Sequence, residues 1–362
     1  VYDLTAAGNI EGGLGGAKGT TKLGYVGGVV GKLYGKLTNV KNAGTVTGIA
    51  TYAAGIAAYA YETVEFNNCV NNGTLTSATA TGYVGGIASY ALPSTYNECF
   101  NNGDINGGTS AGIVANVVGK AGFGPYTFDK CINNGNITGN ATLGGITAMQ
   151  GATAGNNVCN YTECENHGDI TCNATAAVSS SSTAGIAAFY SPGSTFDGCV
   201  NEGNITNTKS IYTAGITGYY KGSANATYPV VVKNCVNKGG VVAEGQQIAG
   251  IIAYVSNYVN IDNCVNYGDI EQGTWGAAGI CYTFTGANSS LTNCINYGDV
   301  TVGTYLAGGI VGNNANNASV LKGCINLGNI ASNVAETATT NNYGVGGIAG
   351  QAYTTVTDCF NA

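Results

Sequence analysis

The sequence predicts an all-β chain wound as a parallel β-helix of about eleven coils, each 29–36 residues long and right-handed. Three observations carry this expectation. A Cys-x-Asn-x-Gly unit recurs along the chain, with turn glycines at 8, 44, 73, 103, 135, 168, 203, 239, 268, 298 and 328, spaced 29–36 residues apart. A small–Gly–Ile/Val unit lies between successive copies, as in Gly27-Gly28-Val29, Ala54-Gly55-Ile56, Gly85-Gly86-Ile87 and Gly346-Gly347-Ile348. Between these units the segments are too short and too rich in glycine for the amphipathic helices that other repeats of this period use. A propeller blade needs four strands in about 40–50 residues, and the expectation here is only two or three per period, so the solenoid is the better match.

Taken in order, a coil opens with a short apolar strand running into cysteine. Ten of the 13 cysteines (Cys69, Cys99, Cys131, Cys164, Cys199, Cys235, Cys264, Cys294, Cys324 and Cys359) hold this slot, which Leu4 and Val40 fill upstream. That substitution pattern suits a buried column of small apolar side chains. Coils stacked about 4.8 Å apart also fall within the Cα separation a disulfide accepts, although side-by-side Cβ vectors strain its dihedral. Both arrangements remain open at this stage. No Cys-x-x-Cys pair exists, and a single column of sulfurs cannot build a tetrahedral metal site.

Two residues on comes asparagine: Asn71, Asn101, Asn133, Asn166, Asn201, Asn237, Asn266, Asn296 and Asn326. Stacked at one position, these amides are expected to form a ladder. The glycine after them is expected to supply a positive-φ turn residue. The Ile or Val that follows, the cysteine and the Ile of small–Gly–Ile are expected to share one interior. Small–Gly–Ile reads as a strand whose small residues let the coil walls approach closely.

Tyr59, Tyr90, Tyr219 and Tyr254, with Phe189 equivalent, lie three residues after that Ile. By strand alternation they point outward as a broken aromatic stripe, a candidate contact for sugar rings or a protein partner. Asp104, Asp169, Asp269 and Asp299 follow the turn glycine where other coils carry Asn, which suits hydrogen bonding at the turn.

The segment Gly308-Gly309-Ile310-Val311-Gly312, followed by Cys324-Ile325-Asn326-Leu327-Gly328-Asn329-Ile330, resembles the GLUG-type repeat of bacterial surface proteins, which include IgA-specific peptidases and adhesin-like proteins. The resemblance extends from about Leu4 to the end. It implies a secreted or wall-attached protein of β-helical build, in which such repeats form stalk or adhesive regions. The strict cysteine register and irregular loops depart from the pattern.

Composition narrows the functional choice. Charged residues are 9% of the 362, all 12 basic residues are lysine, the net charge is −7, and there is one histidine. A nucleic-acid binder needs a basic surface, and triad chemistry or a multi-histidine metal site has little to draw on. No apolar run approaches the ~20 residues of a membrane span. Both ends cut the repeat at nearly the same phase, which suggests a window of a longer stalk or a subunit that stacks end to end. The expectation is one solenoid domain over 1–362, without cofactor or catalytic residues. It would act outside the cell as a stalk, adhesin or fibre component, associating with itself end to end or laterally, or with surface glycans or a host or cell-surface partner. A carbohydrate-binding or polysaccharide-active β-helix is the alternative.

Overall fold

The computed structural model describes residues 1–12, 24–48, 51–77, 82–120, 124–150, 158–175, 181–220, 225–303, 305–314, 318–333 and 344–362. Within them the chain is all-β, and every pairing between coils is parallel and in register. Five sheets run along the stack; four have 11 strands and the one carrying the Cys-x-Asn segments has 12.

The coil holding Cys69 shows how the sequence closes on itself. Its strands are Glu65–Asn67, Val70–Asn71, Leu75–Ser77, Tyr83–Gly85 and Ala88–Ala91, one for each sheet, first to fifth. Five strands fit where two or three were expected because each is only two to four residues long. Small–Gly–Ile does not form a strand of its own. Its Gly86-Ile87 pair is the bend between the fourth and fifth sheets.

The corner between the first and second sheets rests on a feature the repeat units do not announce. The residue before each cysteine is left-handed: Asn68 (φ 51°), Asn234 (φ 55°) and Asn263 (φ 52°), and likewise Gly198 (φ 67°) and Gly323 (φ 66°). Asn, Asp and Gly hold most of this column and tolerate the conformation. Glu98, Lys130 and Glu163 adopt it in three consecutive coils.

The turn glycine has a different task from the one expected. It is absent from the positive-φ positions. A Cβ on Gly73 would instead overlap the carbonyl oxygen of Gly44 one coil earlier, and Gly203 and Gly268 stand in the same relation to Gly168 and Gly239. Backbone here stacks on backbone with no room for a side chain.

The interior divides in two. The larger core joins the first-sheet aromatics, the cysteine column, the bend isoleucines and the inward residues of the fifth sheet. In it Phe66, Tyr96, Phe128, Tyr161 and Phe196 stack coil on coil at 4.6–5.0 Å; such pairs add about 0.5–1.5 kcal/mol each beyond area burial. The smaller core lies between the third and fourth sheets, where Leu75, Ile105 and Ile137 face Val84 and Leu143. The residues expected to share one interior are therefore split between these two.

Candidate functional site

Asparagine forms the waist between the two cores. Asn42 Nδ2 donates to Asn71 Oδ1 at 2.8 Å and to the carbonyl of Gly44 at 2.8 Å. The same pair of bonds repeats through Asn101, Asn133, Asn166, Asn201, Asn237, Asn266, Asn296 and Asn326 to Asn361, always donating toward the later coil. Asn42 through Asn326 are fully buried. A buried amide without a partner costs about 1–3 kcal/mol, and the ladder leaves none unpaired along its length. The bend glycines press on it: a Cβ on Gly55 would overlap the Asn71 amide and the carbonyl oxygen of Gly86.

Beside the amides stands the cysteine column, as free thiols. Cys69 to Cys324 are buried and Cys359 is half-buried. Each S–H reaches a carbonyl of the preceding coil or of its own corner, as Cys131 does to Tyr96 (3.4 Å), Cys164 to Phe128 (3.3 Å) and Cys235 to Lys233 (3.2 Å). Burial pushes the thiols of Cys131, Cys164, Cys235 and Cys294 well above the ordinary value, so they are held neutral and are poor nucleophiles.

The turn carboxylates also serve the stack. Asp104 Oδ1 accepts the N–H of Asn136, Asp169 Oδ1 that of Asn204, and Asp269 Oδ1 that of Asp299. Among the described residues no three His, Cys, Asp or Glu side chains gather in a way that could hold a metal ion, and no helix is long and apolar enough to cross a membrane.

The aromatic stripe is real in part. Tyr59 and Tyr90 are in register in the fifth sheet, with rings 5.1 Å apart and 9° from parallel. Tyr219 and Tyr254 also sit half-buried at the surface, with ring centroids 5.3 Å apart. Phe189 does not belong to an exposed stripe, because it is fully buried beneath its neighbours. Between the two groups the column continues as Asn116 and Met149, which interrupts it.

A second aromatic column lies beside the first. Tyr25, Tyr52 and Tyr83 are in register in the fourth sheet, at 5.3 and 5.4 Å. They meet the first column edge-on across the bend, Tyr25 against Tyr59 and Tyr52 against Tyr90. Tyr212 meets Tyr254 edge-on in the same way and stacks on Tyr219 at 4.2 Å. The signal was available, since each of these tyrosines stands three residues before the glycine of small–Gly–Ile. Interlocking leaves Tyr52 only 8% exposed, and burial raises the phenols of Tyr52 and Tyr59 to about 12. Because rings stack face to face along the axis, they spend their faces on one another and turn edges and hydroxyls outward. A sugar ring seeks an aromatic face, and here few are left.

Comparison with known proteins finds no matching family, no matching curated protein and no matching solved structure.

Proposed function

We propose that the protein is a non-enzymatic, extracellular structural repeat, a stiff rod that serves as a stalk or adhesive segment in the manner of the GLUG-type repeats it resembles. The observation that carries this reading is the unbroken one-way asparagine ladder from Asn42 to Asn361. The polar groups that chemistry would recruit, namely the ladder amides, the column thiols and the turn carboxylates, are engaged in joining one coil to the next. Burial of the thiols also suits a protein outside the cell, because a thiol kept neutral and enclosed resists oxidation.

Single-molecule stretching tests the rod. A load-bearing stack should yield in steps of one coil, about 30 residues of released contour each; smooth extension without steps would refute it. The second reading, carbohydrate binding, draws on the half-buried Tyr59, Tyr90, Tyr219 and Tyr254. Glycan-array binding that disappears on replacing Tyr219 and Tyr254 by Ser would favour it over the purely structural role.

A further inference from the structure

We propose that the outer face of the Cys-x-Asn sheet is a lateral interface with a second copy of this chain. The residue between each Cys and Asn points outward by alternation, since both of its neighbours are buried. In most coils it is nonetheless apolar: Phe100, Ile132, Val200, Val265, Ile295 and Ile325 represent a column paired in register, all of them half-buried. Toward the later coils the column widens. The turn residues beside it become Tyr267, Tyr297 and Leu327, exposed by 51%, 43% and 43%, and the two tyrosine rings stack at 4.8 Å.

This face is bounded in every coil by short connections, a two-residue corner as at Asn68-Cys69 and a three-residue turn as at Asn72–Thr74, so no long connection leaves the stack at either of its edges. Twelve strands about 4.8 Å apart make a face about 50 Å long. With the corner and turn columns it is about 13 Å wide, or roughly 650 Å², close to the ~800 Å² per partner of a standard interface.

The occupant follows from the spacing. A straight ridge repeating every ~4.8 Å stays in step over ten rungs only with a partner of the same repeat, and a second copy has that repeat by construction. Charge supplies the register that an apolar ridge lacks. Glu165 interrupts the column at one rung, and His167, Glu202 and Lys238 form a hydrogen-bonded and ion-paired cluster next to it. The inference goes beyond the rod reading and holds whether or not the rod is adhesive.

The test is sedimentation velocity of the whole chain from about 1 to 100 µM, for the wild type, for Val265→Lys with Ile295→Lys, and for Val242→Lys. The fold already carries Lys41 in this column, exposed, so lysine is compatible with it. Val242 is similarly exposed, but on the third sheet. A wild-type dimer, retained by Val242→Lys and weakened at least about 100-fold by the double lysine variant with an unchanged circular dichroism spectrum, is the expected result. If the double variant does not fold, Tyr267→Ser with Leu327→Ser takes its place and should weaken the dimer at least about tenfold. A wild type that is monomeric at 100 µM would overturn the proposal. So would a dimer that survives the face variants, as end-to-end stacking would, or one that Val242→Lys abolishes.

Discussion

Between the second and third sheets the chain always turns in three residues, as at Asn72–Thr74, whereas between the third and fourth it spends one at Gly108, three at Glu244–Gln246 and four at Thr208–Ile211. The return from the fifth sheet to the first is just as variable, with three residues at Leu92–Ser94 and five at Thr285–Ser289. The invariant side carries the left-handed corner, the cysteine column and the asparagine ladder; the variable side carries loops that leave the coil. Differences in repeat length are absorbed only where backbone leaves the stack. Where each residue bonds its equivalent in the next coil, one insertion would put the whole ladder out of step.

Raising the pH should strike the invariant side hardest. Thiols held neutral by burial have folded pKa values above the unfolded value of about 8.5, so their contribution is intact below that pH and is lost as pH rises through it. Each such thiol removes about 1.4 kcal/mol per further pH unit, and four together about 6 kcal/mol. Urea midpoints in reductant between pH 7 and 10 check this; a flat profile would mean that the column is not buried thiol.

A cut in the ladder comes next. Asn201→Ala strands Asn166 Nδ2 and Asn237 Oδ1 inside the protein and should cost about 3–5 kcal/mol. Asn225→Ala on the loop side, where the amide oxygen caps a local turn, should cost about 1 kcal/mol or less. Equal costs in chemical denaturation would erase the distinction between the two sides.

Insertions sharpen it further. Two serines between Gly273 and Thr274 lengthen a variable connection and should cost less than about 1 kcal/mol. One serine between Tyr267 and Gly268 should deprotect the coils around it in amide exchange, while the loop insertion leaves protection unchanged. The smallest effect should be a gain. Lys130 is left-handed at φ 50°, and Lys130→Gly should stabilise by about 0.5–1 kcal/mol, read as a higher thermal midpoint. The ion pair lost with it, Lys130–Glu163 at 4.0 Å, is exposed and of little weight.

How much of this was legible follows the same division. The asparagine and cysteine columns could be read directly, because a residue that must bond or pack against its own copy repeats in identity. The left-handed corner could not be read as a motif, because its requirement is a backbone conformation that Asn68, Gly198 and even Glu163 meet with different side chains. Glycine at 73 answers to a constraint other than the positive φ the sequence suggests: it lies in the Gly44 carbonyl a coil away, and local turn chemistry does not reveal it. Phe189 was placed outside by alternation alone. Phe189 does sit on the outward column, in register with Tyr219, but neighbouring residues cover it there, and alternation along a strand says nothing about what lies over the face.

The asparagine ladder also makes length a countable trait. Since Asn201, Asn237 and Asn266 are linked by the same bond in the same direction, removing residues 234–262 would bring Asn201 Nδ2 to Asn266 Oδ1 and join Lys233 to Asn263 in the phase the corner requires. Recombination between neighbouring repeats could therefore shorten or lengthen such a protein by whole rungs without leaving a seam, and its reach would change in increments of about 4.8 Å.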